Sequence, residues 1–177
     1  MRGTAGEPHD PAAGADNDRM VTATDLTHLR RCVQLARTAL AAGDAPFGSV
    51  LVSATGERLF EDHNHVAGGD QTQHPEFAIA RWAAAYLTPE QRAAATVYTS
   101  GEHCPMCAAA HAWVGLGRVV YASSSAQLRG WLEEWGVPPG PVRPLAFNDV
   151  APAVPVEGPV DELAAEVREL QRRYHRR

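Results

Sequence analysis

Two short clusters place the strongest constraint on how this chain can fold. His74-Pro75-Glu76 and Cys104-Pro105-Met106-Cys107 begin thirty residues apart, and each opens a stretch with apolar residues at helical spacing. Proline is tolerated in the first turn of each, because its missing N–H has no partner there anyway. The spacing predicts one helix from His74 to about Leu87 and another from Cys104 to about Leu116. If the segments before them bring both helix starts to one point, an imidazole and two thiols meet there. Helix N-termini carry partial positive charge, which lowers a thiol's pKa and favours the thiolates that zinc requires. A structural zinc site closes with four protein ligands, whereas a catalytic site leaves the fourth position to water. Glu76 shares the first turn with His74 and is placed to carry protons beside the metal. Zinc would lower the pKa of its water toward ~7 while Glu76 moves the displaced proton. Three ligands and a free carboxylate therefore point to hydrolytic catalysis. A structural site is the alternative, with Cys32, His63, His65 or His103 as the fourth ligand.

Composition removes other chemistries. All 16 basic residues are arginine, so a lysine Schiff base and a phosphate-loop lysine are both excluded. The formal charge of −5 does not favour a polyanionic partner. No apolar run approaches the ~20 residues that span a bilayer, and the N-terminus lacks a basic stretch followed by an apolar core. The expectation is a cytoplasmic protein with no membrane partner. Three cysteines, two of them in one Cys-x-x-Cys, suit metal or redox chemistry in a reducing compartment rather than a disulfide framework. A length of 177 residues fits one domain.

Residues 1–20 are rich in Gly, Ala, Pro and Asp and are expected to form a flexible tail, leaving 21–177 as the domain. Asp25 is expected to N-cap a first helix that carries Leu26, Leu29, Val33, Ala36 and Leu40 and stops at Gly43. Cys32 reads as a small buried hydrophobe on that helix. Phe47–Val52 and Arg58–His63 read as a hairpin about Thr55-Gly56, followed by a polar loop from Asn64 to Gln73. Strands are expected at Ala94–Thr99, Arg118–Ala122 and around Val142–Phe147. Helices are expected from Ala126 to Trp135 and from Asp161 to about Tyr174. Strands interleaved with helices after a hairpin imply a mixed sheet covered on both faces.

Taken together, His74-x-Glu76, Cys104-x-x-Cys107, Pro46-Phe47-Gly48, Asn64, Thr99-Ser100 and Pro105-Met106-Cys107 resemble the zinc-dependent cytidine deaminase superfamily. The likeness runs from residue 25 to about 125 and is nearest to the nucleobase (guanine) deaminase and tRNA adenosine deaminase branch. It implies an α/β protein, a three-layer α/β/α cytidine-deaminase-like fold with a mixed five-stranded sheet. It also implies zinc on His74, Cys104 and Cys107, Glu76 as the proton shuttle, and the Asn64 side chain on the base. Relatives in this branch commonly form homodimers. Pro75 stands where the family usually has Ala or Gly, and His103 where it usually has Pro.

Phe47 is weighed as a substrate contact or as core. Trp113 sits where bacterial guanine deaminases also carry tryptophan, and its indole is a candidate to stack on a purine. Glu133 or Glu134 could accept hydrogens from guanine, and Tyr174 could close the pocket as C-terminal residues do in related enzymes. The expected activity is hydrolytic deamination of a purine base or related heterocycle, guanine first, with release of ammonia. The alternatives are a tRNA adenosine deaminase, a cytosine or triazine deaminase, or a noncatalytic zinc-binding module. The expected partner is a small nucleobase-like molecule rather than nucleic acid.

Overall fold

The structure is a computed structural model that describes residues 21–176. The tail expected over residues 1–20 lies outside the described residues. Five strands form one sheet: β1 (Gly48–Val52), β2 (Arg58–His63), β3 (Thr96–Gly101), β4 (Val119–Ser123) and β5 (Val156–Glu157). Their order is β2-β1-β3-β4-β5. β1 runs antiparallel to β2 and β3, whereas β3, β4 and β5 are parallel. Among the described residues seven α-helices accompany them, besides a short 3-10 turn at Val66–Gly68: α1 (Ala23–Ala42), α2 (Pro75–Tyr86), α3 (Pro89–Ala94), α4 (Pro105–Trp113), α5 (Ser125–Glu134), α6 (Phe147–Val150) and α7 (Asp161–His175).

The strand period of two sorts side chains into three layers. Val50, Val52, Tyr98, Val120 and Ala122 pack with Leu29, Val33, Ala36 and Leu40 of α1 and Leu163, Val167 and Leu170 of α7. The alternate residues Leu51 and Val97 pack with Ile79, Ala80 and Ala83 of α2, and Val119 packs with Ala108 of α4 and Phe147 of α6. Cys32 lies in the first cluster as expected, fully buried, and burial pushes its thiol up.

Gly48 begins β1 on the α1 face, where a Cβ would stand 2.4 Å from Leu35 Cβ and 2.6 Å from Cys32 O. Gly48→Ala should therefore force α1 off the sheet and cost about 1–3 kcal/mol by overpacking, read as a lower denaturant midpoint with an unchanged m-value. A midpoint equal to the parent's would show that the helix gives way freely.

Three expectations need correction. Thr22, not Asp25, caps α1: Asp25 N–H donates to Thr22 Oγ1 at 3.2 Å and Thr22 N–H donates to the Asp25 carboxylate at 2.8 Å. That reciprocal box puts Asp25 inside the helix. The strand expected at Val142–Phe147 is absent; the proline-rich segment runs without regular structure into α6, and the last strand falls at Val156–Glu157. Prolines at 138, 139, 141 and 144 remove ladder donors from this stretch. The third concerns a helix between the second and third strands that periodicity did not suggest. α3 is short, and it is set by a Thr88–Gln91 capping box with Pro89 in its first turn.

Candidate active site

The sheet's topology gathers the functional residues at one end. In the antiparallel pairs Gly48 stands opposite His63 and Ser49 opposite Thr99. The start of β1 thus lies beside the ends of β2 and β3, from which the chain proceeds into α2 and α4. Both helices begin over that edge, where ligands of open α/β sheets characteristically sit. His74 is the N-cap of α2 and Cys104 the N-cap of α4, and neither spends its side chain on capping.

His74 Nδ1 lies 3.6 Å from both Cys104 Sγ and Cys107 Sγ. A tetrahedral zinc with Zn–N about 2.1 Å and Zn–S about 2.3 Å puts nitrogen and sulfur about 3.6 Å apart. The donor set therefore fits that ion in both chemistry and spacing. Cys107 donates to Cys104, which outweighs burial and, with His74, lowers the Cys104 thiol to about 4. The Cys107 thiol is raised by that same bond and by burial. A cation held by both sulfurs would displace the pair's remaining proton. Of the alternative fourth ligands, Cys32 is in the core. His103 is not in this donor group and packs edge-on against His111 and Phe147. Neither His63 nor His65 belongs to this donor group among the described residues.

Glu76 is 5% exposed. Burial pushes its carboxyl up, and the His74 charge and the Thr99 and Ser49 hydroxyls only partly offset this. Thr99 Oγ1 donates to Glu76 Oε1 at 2.7 Å and Ser49 Oγ donates to the same oxygen at 2.9 Å. Because Ser49 and Thr99 are a cross-strand pair on the α2 face, the sheet itself sets the carboxylate's position.

A cavity of about 410 Å³ opens over this group, with Phe47, His74, Glu76 and Cys104 at its base and Leu128, Leu132, Glu133 and Val142 on its walls. Its size matches small-molecule sites. Phe47 thus lines the cavity. Asn64 is 2% exposed and its Oδ1 has no partner, although its backbone N–H donates to Phe47 O at 3.1 Å.

Trp113, expected as a stacking surface, is not brought to the cavity by this chain. It ends α4 at 89% exposure. Six residues after Cys107 is about 240° around a helix, so it cannot share the face that holds the thiol. Glu133 does line the cavity, whereas Glu134 pairs with Arg168 at 2.8 Å. Tyr174 packs against the α1–α7 core and is not a lining residue. Sequence reasoning missed Glu102, whose carboxylate accepts from Ser125 N–H at 2.8 Å and Phe147 N–H at 2.7 Å. It ties the starts of α5 and α6 to the end of β3 and so holds one wall of the cavity. Only its place beside His103-Cys104 hinted at this.

The comparisons agree with the geometry. The family model described as the cytidine and deoxycytidylate deaminase zinc-binding region matches residues 22–123. A probable cytosine deaminase of Schizosaccharomyces pombe is 33% identical over 106 residues, covering 59% of this chain and 63% of the relative. A guanine deaminase of Bacillus subtilis is 38% identical over 99 residues, covering 55% of this chain and 63% of the relative. The chain thus spans just under two thirds of these curated relatives. A solved structure of NE0047 in complex with 2,6-diaminopurine covers 90% of this chain and 86% of its own at TM-score 0.67 and 24% identity, which shows a shared fold. Since the matched region spans more than half of the sequence and both ligand clusters, the chain belongs to the cytidine and deoxycytidylate deaminase zinc-binding family, whose fold is the three-layer arrangement described above.

Proposed function

We propose that the protein is a hydrolytic deaminase that exchanges an exocyclic amino group of a purine base, guanine first, for a carbonyl oxygen and releases ammonia. The observation that carries this reading is the buried Glu76 carboxylate beside the His74, Cys104 and Cys107 donors at the base of an apolar-walled cavity. Bound by those three side chains, zinc supplies Lewis acidity that brings a water's pKa toward ~7. As the attacking water adds to the amino-bearing ring carbon, Glu76 Oε2 would take its first proton and pass it to the neighbouring ring nitrogen; it would then take the second proton from the hydroxyl now on that carbon and give it to the amine, which leaves as ammonia as the carbonyl forms. Its upward-shifted carboxyl suits both directions of transfer near neutral pH. Phe47 offers an aromatic wall to a flat ring, and the unpartnered Asn64 Oδ1, buried behind Phe47 rather than on the cavity lining, is the acceptor proposed for a substrate N–H. The Glu133 carboxylate could accept two parallel N–H groups, as guanine's N1 and amino group present.

The test is ammonia release from guanine, cytosine, adenine, their nucleosides and aminotriazines. Guanine is expected to give the highest kcat/KM, and Asn64→Ala to lower it about tenfold by loss of one hydrogen bond. A faster cytosine or aminotriazine would move the substrate. Tight tRNA binding at low salt, falling steeply with added salt, would transfer the reading to a polymer. The proposal includes a homodimer in the cytoplasm, with the exposed Trp113 end of α4 as the face to examine by sedimentation.

A further inference from the structure

Apart from the catalytic donors, a second set of side chains converges at the mouth of the α1–β1 connection. Asp44, His63 and His65 can each offer one ligand atom, and the three atoms lie within 4.8 Å of one another. We propose that they form a second divalent-cation site, for zinc or a similar first-row ion, that clamps the segments on either side of Asn64.

The charge and the hydrogen bonds both favour this. Asp44 is 5% exposed, and its carboxylate accepts from Ala67 N–H at 2.6 Å but has no cationic side chain paired with it among the described residues. A buried carboxylate without a cation is costly, and a metal removes that cost. His63 Nδ1 is 3.0 Å from Asn64 O. A carbonyl oxygen can only accept, so Nδ1 carries the hydrogen and Nε2 keeps its lone pair. His65 Nε2 is 2.9 Å from Asp62 Oδ1, which places the hydrogen on Nε2 and leaves the Nδ1 lone pair. The two rings lie 4.3 Å apart between centroids, tilted by 37°. An imidazole whose other nitrogen donates to a carboxylate or carbonyl is the usual orienting arrangement of metal ligands. Two imidazoles and one carboxylate suit zinc, nickel or cobalt rather than calcium or magnesium. The site stands apart from the thiolate centre in its donors and does not depend on the reaction proposed above.

Its placement gives the ion a role. Asn64 lies between two of the ligands and donates its backbone N–H to Phe47 O, three residues beyond the third. Occupancy would fix both candidate substrate contacts relative to each other.

Cobalt titration of the chelator-stripped full chain tests this. Two equivalents are expected: one producing the thiolate-to-cobalt charge-transfer band, the other binding without it. Asp44→Asn keeps an amide oxygen for Ala67 N–H, and His65→Ala trims an exposed ring. Each should abolish the second equivalent while the thiolate band, which also reports an intact fold, stays at full intensity. Asp62→Asn should weaken the second equivalent about 10–100-fold. A single equivalent in the parent chain, or two equivalents persisting in both Asp44→Asn and His65→Ala, would overturn the site.

Discussion

Glu76→Gln should lower kcat for the preferred base by about 10³-fold, within the range for loss of a general acid–base group, with the metal content of the thiolate centre unchanged. The amide is isosteric and still accepts from Ser49 and Thr99 through one oxygen, so the cross-strand anchor and the fold survive. On the proposed mechanism, what is lost is the group that holds and returns a proton beside the substrate. Because Glu76 is not among the His74, Cys104 and Cys107 donors, metal retention separates this effect from loss of the ion. Steady-state ammonia release measured beside metal analysis decides the matter. Turnover within threefold of the parent at full metal content would remove Glu76 from the mechanism.

The second large effect concerns stability. Arg118 enters β4 at the centre of a buried ionic triad. Its Nη1 and Nη2 donate to Asp25 at 2.8 and 3.1 Å, and its Nε donates to Glu157 Oε1 at 2.7 Å, with a further close contact from Nη2 to Glu157. Tyr98 donates its hydroxyl to Asp25 at 2.7 Å. Both carboxylates are buried and the Arg118 side chain is 16% exposed. Arg118→Met should destabilise by about 3–5 kcal/mol, because it leaves two buried carboxylates unpaired. That corresponds to a fall of about 10 °C in Tm for a chain of this size. Converting the whole triad to apolar residues should cost far less, since no charge is then stranded.

The pH dependence has a definite sign. Burial alone would raise the Asp25 carboxyl, but hydrogen bonds from Arg118, Thr22 and Tyr98 hold it well below the usual carboxylate range. Stability from this group is therefore fully present above its unfolded value near ~4 and is lost as pH falls toward the depressed folded value. Denaturant midpoints measured between neutral and strongly acid pH should fall on the acid side in the parent and fall less in Arg118→Met. Parallel curves for the two proteins would show that the triad does not couple to Asp25 protonation.

Much of the architecture is legible because local chemistry and periodicity agree. The Thr55-Gly56 turn that joins β1 to β2, the prolines that open α2 and α4, and the glycine that ends α1 are each decided by neighbours in the chain. The metal donors are legible for the same reason: His74 and Cys104 both stand at helix starts. Where sequence reading failed, a competing local cap or a distant partner decides. Thr22 takes the cap that Asp25 looked fit for, and the Asp25 carboxylate also serves Arg118 from 93 positions away. The expected Val142–Phe147 strand fails because Pro144 within it and the prolines at 138, 139 and 141 before it remove ladder donors. Glu102 shows its role only once α5 and α6 dock on it.

The amino-acid sequence by itself determined the donor set, the helices that present it and the carboxylate beside it, because each depends on residue type and spacing within a turn or two. Only the tertiary structure decided that those helix starts share one edge and that Ser49 and Thr99 aim Glu76. It also decided that Trp113 faces outward while Asp44 meets two histidines. Those outcomes follow from strand register and helix packing, which join residues far apart in the chain and leave no local pattern to read.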